Sequence, residues 1–183
     1  MDDDGGEAWP ASALWDYAVA LYAVPGVAPA CLALQDRRGA DVNLLLLACW
    51  LGATGRDPGA QRLAAARERG EAWQEELVRP LRQARRLLKD VLPTLAGPLR
   101  SRLAMTRTDL AAAELALERG ELLLLEQLSE AAPVGAARGG SALAARIMRH
   151  LVALGPEADP EVQALLAAAF PGCDGEGELR RAP

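Results

Sequence analysis

Aromatic side chains make up only 4% of this chain, and β-branched residues are few. Strands draw on those residue types, so their scarcity argues against a sheet-based fold. Histidine is nearly absent, with His150 alone near the end of a short helical segment. A lone histidine there is a helix-end residue rather than a general base, and no HExxH or ExxH pattern exists to hold a metal. The cysteines, Cys31, Cys49 and Cys173, are odd in number and lack CxxC spacing. No metal site is therefore expected, and a reducing cytoplasm is the expected compartment. Lysine is reduced to Lys89, so nearly all positive charge is Arg. The net charge of −5 gives no reason to expect nucleic acid as a partner. The N-terminus, MDDDGGEAWP, is acidic and without the basic start and apolar stretch of a signal peptide. The longest apolar run, Leu44 to Ala53, is about half of a bilayer span, so no transmembrane segment is expected.

Leucine and alanine make up most of the 51% of residues that are apolar, and both favour helix. The reading is an all-α single-domain bundle of about six to eight helices, with a buried central helix near residues 41–52. Its core is built from Leu, Ala and Val, with Trp9, Trp15, Trp50 and Trp73 as anchors. Ser12 caps a first helix with Trp15, Val19 and Tyr22 on its apolar side, and Pro25-Gly26 ends it. Pro29 opens a short helix, and Asp36 to Gly39 forms a turn. Asp41 then caps the central helix, which is apolar on every side except at Asn43. A long helix or helix pair follows from Ala60 to Leu92, broken near Gly70 and kinked at Pro80, with Trp73, Leu77, Leu81, Ala84, Leu88 and Val91 as one stripe. A further helix spans Leu99 to Ala131, with leucines at 103, 110, 117 and 124. Ser141 caps a helix carrying Leu143, Ile147 and Leu151, and Asp159-Pro160-Glu161 starts the last one. The expected organisation is a disordered acidic leader (1–11), a helical core (12–131), a flexible linker (132–140), a helix pair packed on the core (141–172) and a disordered tail (173–183).

Charge separates the two long helices. The first carries Arg79, Arg82, Arg85, Arg86 and Lys89; the second carries Glu114, Glu118 and Glu121. Glu114 and Glu121 share the stripe of Leu110, Leu117 and Leu124. A carboxylate on an apolar stripe needs a partner, so an interhelical Arg–Glu layer is expected. It either fixes helix register or opens into a pocket in which Arg82, Arg85 or Arg86 grips an anion.

A second polar group, Gln35, Asp36, Asp41 and Asn43, abuts the most apolar run of the chain. Caps and turns account for most of it, and Asn43 is left to find a backbone or Arg partner. The sharper reading joins Asp36, Asp41 and Asn43 to the Arg face as one polar pocket. A phosphate-cradling loop does not fit, because glycine spacing is missing and Asp41 sits where an anion would bind.

The pattern Trp15, Leu21-Tyr22, Pro25-Gly26-Val27, Cys31-Leu32, Leu34-Gln35-Asp36, Gly39, Asp41-Val42-Asn43, Leu45-Leu46 and Trp50-Leu51 resembles an uncharacterised family of small proteobacterial proteins, a domain of unknown function. Trp73, the stretch VRPLRQARR from Val78 to Arg86, and Glu114-Leu115 to Glu118 extend the resemblance, which covers roughly Trp15 to Leu128. It implies a helical cytoplasmic domain with no assigned chemistry, cofactor or catalytic residue.

Three functions are compatible with these residues. A helical interaction or adaptor module with a protein partner stands first, on its charged face. A binding protein for a small apolar or anionic ligand stands second, on its leucine-rich interior. An enzyme stands last, because GxSxG and DDxxD patterns are missing and no cofactor is implied. A basic amphipathic helix lying on a membrane is disfavoured, since its apolar stripe is needed in the core.

Overall fold

Helix α3, Val42–Thr54, occupies the centre because almost nothing on its surface is suited to water: Asn43 through Gly52 are all buried. The computed structural model describes residues 8–129, 139–152 and 159–172. Among them are eight α-helices and no strand, so the all-α bundle and its buried central helix are as expected. The Asp41 side chain accepts from the Asn43 amide at 2.9 Å and starts α3. Gly55, at φ 62° in the left-handed region, stops it.

Around α3 the other helices bury their own stripes. Helix α1, Ala13–Tyr22, covers one side with Leu14, Ala18 and Leu21. Ser12 caps it, accepting from the Trp15 amide at 2.9 Å, and in turn donates to Glu126 Oε2 at 2.5 Å. Helix α2, Val27–Arg38, packs against the last helix of the described chain. Helix α4, Ala60–Trp73, is followed by a π-helical turn over Gln74–Val78, and α5 continues as Arg79–Val91. A 3₁₀ turn, Leu92–Thr94, leads into α6, Gly97–Ser129, whose 33 residues span about 50 Å. Helix α7, Ser141–Leu151, lies across α3 at Gly52, where an added Cβ would stand 2.7 Å from the Ala144 Cβ. Helix α8, Pro160–Ala169, begins at Asp159, which accepts from the Glu161 amide at 3.1 Å, and its first turn pairs with Arg37 and Arg38 of α2.

Several expectations are corrected. On α1 the buried face is Leu14, Ala18 and Leu21; Val19 and Tyr22 are exposed and Trp15 is half-buried. The same helical spacing fits either face, and which one turns inward is decided by α3 and α6. Asp36 is not in a turn: α2 runs on to Arg38 and ends at Gly39. The helix from Ala60 does not break at Gly70. The Arg79 amide instead reaches five residues back to the Gln74 carbonyl, and this wider turn is seated immediately before Pro80, whose ring nitrogen has no hydrogen to donate. The stripe from Trp73 to Val91 is at most half-buried, and α5 has no buried residue. Trp50 is buried in the core and Trp15 packs half-buried against it, while Trp9 is exposed; Trp9 and Trp15 flank the Arg119 guanidinium, 5.1 and 5.0 Å from its carbon. Ser141 is the first helical residue rather than the cap, which is Gly140. Of the expected leader (1–11), linker (132–140) and tail (173–183), residues 1–7, 132–138 and 173–183 lie outside the described residues. Gly139 and Gly140 are described, and the Gly140 amide donates to the Gly52 carbonyl at 2.8 Å.

Candidate ligand pocket

The α5 and α6 charges meet as the sequence required. Arg82 Nε donates to Glu114 Oε1 at 2.7 Å, and Arg82 Nη2 donates to Glu118 Oε1 at 2.6 Å. Arg85 Nε donates to Glu114 Oε2 at 2.6 Å. Glu114 therefore holds both guanidinium groups. Burial raises its pKa, but Arg85 and Arg82 outweigh that and leave it below the usual value. Glu118 is less well compensated: burial dominates and raises its pKa despite Arg82.

Glu121 departs from the expectation. It is fully buried and no described Arg pairs with it. Its Oε2 accepts from Asn43 Nδ2 at 2.7 Å and from Gln74 Nε2 at 2.6 Å. Its Oε1 and the Asp41 Oδ2 are both buried without another partner. They converge above Gly70, where an added Cβ would stand 3.4 Å from one and 3.3 Å from the other. One proton held between the two carboxyl groups satisfies both atoms at once. Burial first, and the facing Asp41 second, push the Glu121 pKa up to about 9; burial raises Asp41 as well. Those directions fit a pair that shares one proton, and the missing side chain of Gly70 leaves it room.

This polar knot forms the floor of a cavity of about 450 Å³ between α1, α2, α3 and α6. Its walls are apolar, with Trp15, Val19 and Tyr22 from α1, Leu32 from α2, and Leu115 and Leu122 from α6. Asn43, Gln74, Arg82 and Glu118 face it from below. A cleft of about 700 Å³ lies on the other side, lined by Asp36, Arg38, Arg67, Arg79 and Arg86. Gln35, Asp41, Gln74 and Arg82 border both and separate them.

The expected site residues thus divide. Gln35, Asp41, Asn43, Arg82, Glu118 and, beneath them, Glu114 and Glu121 gather around one knot. Arg85 reaches it only through Glu114. Asp36 and Arg86 lie apart in the polar cleft, and Arg79 is drawn back to Glu75 in its own helix. Sequence reasoning missed Gln74 and the α1 wall. Gln74 has no local signal, because its amide is placed by the π turn. Trp15, Val19 and Tyr22 did stand out, as apolar residues at helical spacing, but they line the cavity instead of the core.

Other chemistry is sparse. No group of three or more His, Cys, Asp or Glu side chains among the described residues is arranged to hold a metal ion. Cys31 and Cys49 are buried, and burial pushes the Cys31 thiol up to about 11 and Cys49 higher, so neither is an activated nucleophile. No single helix among the described residues is long and apolar enough to cross a membrane.

A family model described as a protein of unknown function, DUF2390, matches residues 13–125. That span contains every residue of the knot and of the cavity wall. No curated protein and no solved structure matches the chain.

Proposed function

The chain belongs to the DUF2390 family, and we propose that it is a binding protein for a small molecule with a largely apolar body, seated between α1, α2 and α6 over the polar knot. The observation that carries this reading is the cavity wall. Val19, Tyr22, Leu32 and Leu115 are 52%, 37%, 47% and 55% exposed, yet they converge on one concave surface instead of scattering. Its volume of about 450 Å³ is that of a pocket for a small ligand. Apolar walls with a few convergent polar groups are the usual composition of such a site.

Calorimetric titration with decan-1-ol tests the pocket without invoking a charged group. Saturable one-to-one binding with a negative heat-capacity change is expected, and Val19→Trp, which adds bulk on the exposed rim, should abolish it. Absence of binding, or binding unchanged in Val19→Trp, would overturn the reading.

A specific observation also favours a second reading, a helical interaction module. Helix α5 and the first half of α6 contain no buried residue, and Leu87, Leu99 and Met105 on them are 60%, 56% and 58% exposed. Such a paired-helix arm offers apolar anchors to a protein partner. Affinity capture from native extract tests it: a stoichiometric partner lost in Leu87→Glu supports it, and recovery of none counts against it.

A further inference from the structure

The pocket floor has a chemical bias that its residue types alone do not reveal. Asn43 and Gln74 each carry an amide, able to donate and to accept. Here the nitrogen ends are drawn to Glu121: Asn43 Nδ2 gives to Glu121 Oε2 at 2.7 Å and to the Glu118 carbonyl at 3.2 Å, which uses both of its hydrogens, and Gln74 Nε2 gives one of its two to Glu121 Oε2 at 2.6 Å. The orientation is dictated by Glu121, which offers those nitrogens a carboxylate oxygen and would repel the amide oxygens. The oxygen ends of both amides are thus left without a described partner, on residues that line the cavity. Glu118 adds a carboxylate with only one of its oxygens engaged by Arg82. Arg82, the one cation among the described residues that line the cavity, is already spent on Glu114 and Glu118. Around the knot, the carboxyl groups of Asp41, Glu114, Glu118 and Glu121 stand against the two guanidinium groups of Arg82 and Arg85 that pair with them.

From this we infer that the pocket selects a cationic, hydrogen-bond-donating head on an apolar body, a primary alkylamine being the simplest case, with the ammonium over Asn43 Oδ1, Gln74 Oε1 and the Glu118 carboxylate. An ammonium has three donors and no acceptor, which matches the three acceptor groups of Asn43, Gln74 and Glu118. It also brings a positive charge to a group of carboxyls that outnumber the guanidinium groups paired with them. A carboxylate head would meet the same acceptors and find no free cation. The inference rests on the pocket reading and refines it.

The test compares decylamine, decan-1-ol and sodium decanoate by calorimetry at pH 7, on the full chain. Decylamine should bind at least about tenfold more tightly than decanoate, the scale of one charge interaction near a protein surface, with the alcohol between them. Glu118→Gln should weaken decylamine binding and erase most of that preference. Val19→Trp should block all three ligands. If none of the three binds, the pocket reading itself fails. If decan-1-ol binds in a manner blocked by Val19→Trp but decanoate equals or exceeds decylamine, the pocket stands and the cationic selectivity is wrong. Unchanged preference in Glu118→Gln would likewise overturn the assignment of that carboxylate. A circular dichroism melt of each variant separates loss of binding from loss of fold.

Discussion

Glu121 carries the most demanding chemistry in the molecule. A carboxyl group with no exposure survives only if every lone pair and proton is used, and Asn43, Gln74 and Asp41 together use them. Glutamine is close to an isostere of the protonated acid in this setting: its amide nitrogen can donate to Asp41 while its oxygen accepts from Asn43 and Gln74. Below pH 4.5, where Glu121 is protonated in both states, Glu121→Gln should therefore change unfolding free energy by no more than about 1 kcal/mol, whereas Glu121→Ala, which orphans three buried partners, should cost about 3 kcal/mol or more. Urea titrations of the two variants measure both. The same proton links stability to pH. Below the unfolded value near 4.5 the group is protonated in both states and its contribution is fully present. Above it the unfolded chain releases the proton and the folded chain keeps it, so stability falls as pH rises, until the folded group itself titrates near 9. The slope is at most about 1.4 kcal/mol per pH unit. Wild type minus Glu121→Gln, measured by urea unfolding from pH 5 to 9, should show this decline; a flat difference would mean that no proton is shared.

At the scale of elements, the crossing of α3 and α7 depends on an absent side chain. Gly52 lies in a helix interior, where alanine would ordinarily be favoured by up to about 1 kcal/mol. Its missing Cβ is where Ala144 packs, at 2.7 Å, with the Gly140 carbonyl at 3.0 Å. Gly52→Ala should thus destabilise by about 1–3 kcal/mol, against its propensity, and thermal denaturation will show the sign. Much of this scale was legible beforehand. Ser12, Asp41 and Asp159 are caps with local chemistry, and each accepts from the backbone as such residues do. The run from Leu44 could only be buried. Arg82 and Arg85 meeting Glu114 followed from two carboxylates that had to be paired. The illegible parts are those fixed by distant elements. Asp41 and Glu121 come from different ends of the core, so their shared proton has no sequence signal. The π turn that swings Gln74 inward depends on how α4 and α6 seat together. Helix α1 shows an apolar spacing for both of its faces, and only packing decides which one becomes the wall of a cavity.

At the scale of the molecule, two features lie at different ends of one long helix. The second half of α6 supplies Leu115, Glu118 and Leu122 to the pocket and Glu114 and Glu121 to the knot beneath it, while its first half pairs with α5 and buries nothing. The Arg82 and Arg85 layer sits where the arm joins the core, which ties the position of α5 to the pocket floor. Filling the pocket should therefore stiffen the arm. Hydrogen exchange of α5 amides is expected to slow when ligand is bound, and equal exchange with and without decylamine would separate the two. The most direct measurement is a crystal structure of the full chain grown with decylamine. The account predicts an alkyl chain between Trp15 and Leu115, with its nitrogen within hydrogen-bond distance of Glu118 and the amide oxygens of Asn43 and Gln74. An empty cavity at saturating ligand, or an amine bound elsewhere on the surface, would contradict it.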